Sequence, residues 1–208
     1  MAKIEPFEKY SKEYEKWFSK HKEIYQAEID LVKKLISKDK KGVEIGVGTG
    51  RFAQPLGIKI GVEPSKKMAE LAEKKGIKVY NSEAEKLPFK KETFDFALMV
   101  TTICFVDDVL KSFKEINRIL KKNGYIVTGF IDKKSSFGKK YIKKSKQSKF
   151  YKYATFYSTD EVLKFLKKTG YKNFIIKQTV FTDQKYKINK IEEGYGKASF
   201  VVIKATKN

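Results

Sequence analysis

The sequence predicts a doubly wound α/β fold, and three observations point to it. From Gly42 onward, short apolar runs of strand character alternate with segments of helical period. A glycine-rich turn follows the first of these runs, and helix-capping residues punctuate the alternation. Before that region the pattern is helical. Phe7, Tyr10, Tyr14, Trp17 and Phe18 recur at three- and four-residue spacing, and Ile24, Glu28, Leu31, Val32, Leu35 and Ile36 carry a second amphipathic stretch. We read residues 1–41 as an N-terminal helical cap and 42–208 as the α/β domain, with Gly42 ending the helical region.

The expected strands are Val43–Val47, Ile58–Glu63, Ile77–Asn81, Phe94–Val100 and Tyr125–Ile131, each short and rich in β-branched or aromatic residues, as buried parallel strands require. Ser65–Lys75 and Asp107–Lys122 are helical in period. Ser65 and Asp107 are the expected N-caps, and Gly76 and Gly124 stand where a left-handed residue ends a helix. A short helix after the glycine turn should end at Pro55. Ser158-Thr-Asp-Glu161 reads as a capping box opening a helix over Thr159–Thr169, with Gly170 as its stop. Two further strands, Asn173–Val180 and Ala198–Ala205, complete a mostly parallel sheet with helices on both faces. No internal repeat is present. Residues 133–152 hold nine lysines and no acid, and we read 132–157 as an insertion in the domain.

Composition excludes several classes. The chain has 208 residues, 41% hydrophobic and 14% aromatic, which suits one domain with a real core. One cysteine, Cys104, and one histidine, His21, leave no internal disulfide and no zinc site of Cys and His, so no metal is expected. A Ser-His-Asp or Cys-His mechanism would have to use His21, which sits in a Lys/Glu-rich stretch. The longest apolar stretch, Phe96–Val106, reaches about half a bilayer span, and the start Met-Ala-Lys-Ile-Glu lacks the apolar core of a signal peptide. The expectation is a soluble cytoplasmic protein without membrane partners. The formal net charge of +21 invites a nucleic-acid reading. However, only Arg51 and Arg118 are arginine, the residue that base readout and bidentate phosphate contacts favour, so a solvated lysine surface is the preferred reading.

Glu44-Ile-Gly46-Val-Gly48-Thr-Gly50 follows the first strand. Glycines there let the chain turn sharply and let a ligand approach the backbone. A dinucleotide fingerprint needs its third glycine where this chain has Arg51, whose bulk would obstruct close helix–strand packing. The G-x-G-x-G spacing, with an acid before it, suits S-adenosylmethionine better. Glu63 ends the second strand in Gly61-Val-Glu63-Pro-Ser65, where a carboxylate can accept from both hydroxyls of a ribose.

Gly42 to Gly124 resembles class I S-adenosylmethionine-dependent methyltransferases. It is closest to the type-11 group, similar to the ubiquinone/menaquinone-biosynthesis methyltransferases. The matching segments are Glu44–Gly50, Gly61–Ser65, Ser82-Glu-Ala-Glu-Lys-Leu-Pro-Phe89, Phe94-Asp95 and Leu120-Lys-Lys-Asn-Gly124, in family order and spacing. The resemblance implies a Rossmann-like methyltransferase fold of seven strands with an antiparallel last strand, for which Ala198–Ala205, after the loop Glu193-Gly-Tyr-Gly196, is the candidate. It also implies roles. Gly46, Gly48 and Gly50 would line the methionine and ribose portion, and Glu44 would lie near the amino group. Glu63, followed by Ser65, would hold the ribose. Glu83, where the family usually has Asp, would accept from the adenine amino group, with Ala84 and Glu85 beside it. Thr101 would border the methionine moiety, and Met68 with Leu87 would sandwich adenine.

No Asn/Asp-Pro-Pro-aromatic tetrad of amino-methylating nucleic-acid enzymes is present, and Cys104 lacks the preceding proline of cytosine C5 enzymes. A buried hydrophobic role for Cys104 is expected. Transfer from a sulfonium mainly requires alignment, and no general base is readable, although Tyr and Glu remain open. Tyr14, Trp17, Phe105, Tyr141, Tyr151 and Phe156 are candidates for the acceptor pocket, with ordinary core packing the competing reading. The expected partner is a small-molecule acceptor. The lysine-rich segment could instead steer an anion or, with its interleaved aromatics, stack single-stranded RNA. The oligomeric state is not readable.

Overall fold

The computed structural model describes residues 4–37, 39–181 and 188–208. The first three residues of the N-terminal stretch discussed above lie outside them, as do Lys38 and 182–187.

The N-terminal region forms α1 (Glu5–Lys9), α2 (Ser11–Lys20) and α3 (Lys22–Lys33), separated by non-helical Tyr10 and His21. Then follow β1 (Gly42–Ile45), β2 (Ile60–Val62), α4 (Lys66–Glu73), β3 (Lys78–Tyr80), β4 (Phe94–Val100), α5 (Val109–Ile119) and β5 (Leu120–Ile131). The remainder holds α6 (Ser136–Lys144), two short 3-10 turns, α7 (Thr159–Lys168), β6 (Tyr171–Thr179), β7 (Glu192–Glu193) and β8 (Phe200–Lys207).

The sheet order is β3-β2-β1-β4-β5-β8-β6-β7. Strands β1 to β5 pair in parallel, whereas β8 runs antiparallel between β5 and β6. Along β4 the side chains alternate between two cores. Phe96, Leu98 and Val100 pack with Leu31 and Val32 of α3, while Ala97 and Met99 face Phe113 and Ile116 of α5 and Val162 and Leu166 of α7. Fully buried Phe113, Ile116 and Ile119 each contribute roughly 1.5–3 kcal/mol of hydrophobic stabilisation.

Several expectations need correction. The sheet has eight strands rather than seven, because Glu192–Glu193 pairs with Gln178 and Lys177 at its edge. No helix follows the glycine turn. Residues 51–57 form hydrogen-bonded turns, such as Gln54 N–H to Gly50 O at 3.1 Å. Pro55 lacks an N–H and Gly57 turns left-handed, so a regular helix has no room to propagate. Asp108, not Asp107, caps α5 and accepts from Lys111 N–H at 2.9 Å. Asn123, not Gly124, takes the left-handed conformation, and it does so inside β5, which begins at Leu120 rather than Tyr125. Strands β6 and β8 are displaced by about two residues from their expected spans. The caps at Ser65 and Ser158–Glu161, and the left-handed glycines 76 and 170, are where the sequence puts them.

Candidate active site

The carboxyl ends of the parallel strands are where a doubly wound sheet receives its ligand. After β1 the chain passes through Gly46, Gly48 and Gly50, all with positive φ. A Cβ at Gly46 would overlap Thr102, and one at Gly50 would overlap Ile77, so both glycines are needed for close packing. A Cβ at Gly48 would instead point to open wall, 3.6 Å from Met68 and 3.7 Å from the Tyr14 hydroxyl. The turn is clamped from outside. Arg51 forms a two-armed ion pair with Glu15 of α2, and Glu15 also accepts from Thr49 Oγ1 and from Lys75 at 3.4 Å. Burial works against that carboxylate's charge, but the hydrogen bonds from Arg51 and Thr49 and the Lys75 charge outweigh it and hold its pKa below the usual range. Arg51, which rules out the dinucleotide spacing, is thus the residue that ties α2 across the turn.

Glu63 stands just after β2. Its Oε2 accepts Gly48 N–H at 2.9 Å and its Oε1 accepts Ser65 N–H at 3.0 Å. Burial pushes this carboxyl up to about 7, with the two backbone hydrogen bonds opposing the rise.

One cavity joins these parts. Its wall includes Gly46, Gly48, Glu63 and Met68, then Glu83, Ala84 and Glu85 after β3, and Thr101 after β4. Thr101 is held at φ 51° and donates its N–H to Gly129 at 2.8 Å. Glu85 also accepts the N–H groups of Asp107 and Asp108 at 2.8 and 3.1 Å, so it fixes the start of α5. Of the acceptor-pocket candidates, Tyr14, Trp17, Phe105, Tyr141 and Tyr151 lie on this wall. The rings interlock. Phe105 stacks on Tyr151 at 5.9 Å, Tyr151 meets Tyr141 at 5.1 Å, and Phe7 meets Phe105 edge-on at 4.9 Å.

Four named cofactor residues and one acceptor candidate are elsewhere. Glu44 is buried beneath the turn, held by the Ala53 backbone. Burial raises its pKa well above the usual carboxylate range, and Oε2 has no hydrogen-bond partner among the described residues. Gly50 packs on Ile77, Ser65 caps α4 by accepting Met68 N–H at 3.3 Å, and Leu87 lies in the core. Phe156 lines a smaller adjoining cavity with Cys104, whose Sγ lies 3.4 Å from Thr101 O. His21 stacks on Trp17 at 4.7 Å and is not on the main wall.

Sequence reasoning missed Phe7, Phe18, Glu28, Phe52, Ser82, Thr102 and Phe150 on the same wall. One signal was available for Glu28, an acid on the apolar stripe of a helix; nothing in the sequence marks which aromatics of the insertion turn inward. The insertion's ends are fastened by Asp132, which accepts from Thr159 N–H and Oγ1 at 3.0 and 2.6 Å. Its lysines 139, 140, 143 and 144 face solvent, while Phe137, Tyr141, Phe150 and Tyr151 are half-buried. Of its aromatic residues, only Tyr153 is exposed. Among the described residues, no group of His, Cys, Asp and Glu could hold a metal ion.

The residues present fit S-adenosylmethionine: an open backbone at Gly48 and the buried carboxyl of Glu63 beside it, both on the cavity wall. Comparison with known proteins agrees. The type-11 methyltransferase domain model matches residues 43–128. An uncharacterised protein of Methanocaldococcus jannaschii is 49% identical over 97% of this chain and 98% of its own length. A crystal structure from Thermotoga maritima, described as an S-adenosylmethionine-dependent methyltransferase and possible histamine N-methyltransferase, is 50% identical. It superposes with a TM-score of 0.94 over 99% of this chain and 100% of that one. A demethylmenaquinone methyltransferase of Staphylococcus aureus is 29% identical over 44% of this chain and 43% of its own.

Proposed function

Because the chain belongs to the type-11 family of S-adenosylmethionine-dependent methyltransferases, we propose that it methylates a small molecule held in the aromatic part of its cavity. The observation that carries this reading is the shared wall: Gly48, Glu63, Tyr14, Trp17, Tyr141 and Tyr151 line one cavity. When bound, the cofactor supplies a methyl carbon already activated by its sulfonium. The protein's part is alignment and exclusion of water.

In this reading Glu63 accepts from the ribose hydroxyls, the backbone at Gly46 and Gly48 receives the cofactor's methionine and ribose portion, and Glu83 with Ala84 borders adenine. Helices α1 and α2 within the cap of residues 1–41 close one side, and the insertion 132–157 forms a lid over the domain of 42–208. The half-buried insertion aromatics support a small acceptor over single-stranded RNA, because a stacking platform needs exposed ring faces. Among the described residues no helix is long and apolar enough to cross a membrane. An acceptor from the aqueous phase, in the cytoplasm, follows as part of the proposal. The possible activity of the Thermotoga maritima protein on histamine makes alkylamines that carry an aromatic ring the first class to try.

The test is S-adenosylhomocysteine release across a metabolite panel, with histamine and other amines included and an RNA pool as the competing substrate. Release that depends on a small molecule supports the proposal. Release with RNA alone would transfer the reading to nucleic acid.

A further inference from the structure

Glu28 lies in the middle of α3, 4% exposed, on the wall of the cavity. Among the described residues, no hydrogen bond, ion pair or nearby cation serves its carboxyl, and burial alone pushes its pKa up to about 8. An unpaired ionisable group buried in the wall costs stability that a leucine would not. Its surroundings come from several elements. The phenols of Tyr14 in α2, Tyr141 in α6 and Tyr151 after it all sense its charge. Each phenol is itself raised above the ordinary value, chiefly by burial, so none competes as a base near neutral pH. Trp17, Phe18 and Phe52 add ring faces to the same wall.

We propose that Glu28 receives the acceptor, pairing with an ammonium group and taking its proton, so that the substrate is an amine carried on an apolar or aromatic body. This rests on the methyltransferase reading and deepens it. An ammonium brings what the wall lacks: a counter-charge, N–H donors and a cation for the aromatic faces. A neutral or anionic acceptor would leave Glu28 without a counter-charge. The proton balance also requires such a group. An ammonium nitrogen has no free electron pair, so one N–H bond must break, with its electrons staying on nitrogen. An O–H bond forms on the Glu28 carboxylate, and that proton passes to solvent when the product leaves.

The test is calorimetric and independent of turnover. Protein saturated with S-adenosylhomocysteine is titrated with tyramine, 2-phenylethylamine and benzylamine at about pH 8, with 2-phenylethanol as the uncharged counterpart. At least one amine should bind about tenfold or more tightly than the alcohol. Glu28→Gln should abolish that preference while leaving S-adenosylhomocysteine affinity unchanged, and Glu28→Asp should restore part of it. Near neutral pH, titration in buffers of different ionisation enthalpy should show proton release on amine binding to the wild type and none to Glu28→Gln. Equal affinity for amines in wild type and Glu28→Gln, or no preference for any amine over the alcohol, would overturn the proposal. If Glu28→Gln does not fold, the wild-type preference and proton release decide by themselves. Absence of S-adenosylhomocysteine binding to the wild type would instead overturn the cofactor assignment beneath it.

Discussion

Glu63 Oε2 accepts the Gly48 N–H at 2.9 Å, so the end of β2 and the turn after β1 are held together at the cavity wall. If the same carboxylate also accepts from ribose, replacing it affects both the ligand and the clamp on the turn. Glu63→Gln should weaken S-adenosylhomocysteine binding by roughly 1.5–3 kcal/mol, the scale of a hydrogen bond to a charged group, and, since its amide nitrogen cannot accept, it also gives up one of the two backbone bonds from Gly48 and Ser65. Glu63→Ala should lower the melting temperature further, because it releases both Gly48 and Ser65. Binding through the ionised form gives a definite sign. Affinity should rise with pH through about 7 and level off above it, and Glu63→Gln should flatten that dependence. Calorimetry across pH measures both, and an unchanged affinity in Glu63→Gln would mean that the ribose is held elsewhere.

Gly48→Ala makes a complementary prediction. Its φ of 53° makes an added Cβ costly by roughly 1–2 kcal/mol, yet that Cβ meets no atom closer than 3.6 Å. The variant should fold with a modestly lower melting temperature and, if the cofactor lies along this wall as proposed, lose cofactor affinity by a larger factor. Equal losses in both would show that the turn is structural only.

The strand alternation, the glycine turn and Glu63 were legible in the sequence because each depends on short-range spacing. The eighth strand was not, since Glu192–Glu193 has no strand period and exists only by pairing with β6. Glu44 could be seen to precede the turn, but its burial beneath residues 51–57 depends on how those turns fold back. The aromatics of the insertion illustrate the same limit. Lysines surround Tyr141 and Phe150 in sequence, and only the fastening of the loop by Asp132 and its contact with α1 and α2 decides that the rings face inward.

Glu28 should shape the stability profile. Its folded pKa of about 8 lies above the unfolded value of a carboxyl, so its contribution is fully present below about 4.5 and lost as pH rises through about 8. The slope in that window is about 1.4 kcal/mol per pH unit from this group. Glu28→Gln should therefore gain on the wild type in urea denaturation as pH is raised from about 5 to 8. A stability difference independent of pH would show that the group is solvated in the folded protein.

Removing charges from the insertion should matter little for the cofactor. Lys139, Lys140, Lys143 and Lys144 are exposed on α6, with Tyr141 turned inward between them. Replacing all four with Gln should leave S-adenosylhomocysteine affinity and the KM for an amine or neutral acceptor nearly unchanged, since exposed charges are screened over roughly 8–10 Å. A salt-dependent affinity for single-stranded RNA whose log–log slope flattens by up to about 0.7 per lysine lost would support the nucleic-acid alternative.

Cys104→Ala should keep full activity. The thiol is buried, hydrogen-bonded near Thr101 O, and lines the smaller cavity with Phe156 rather than the main wall. Lost turnover in a folded variant, together with a trapped covalent adduct, would identify a nucleophile.

The central claim, methyl transfer to a small molecule, is tested most directly by following the methyl group itself. The enzyme is incubated with methyl-labelled S-adenosylmethionine and a cell extract, and the products are divided into an acid-soluble filtrate and acid-precipitated macromolecules. The expected result is enzyme-dependent label in a product of the filtrate, with the precipitate at background. Label confined to precipitated RNA or protein would contradict it.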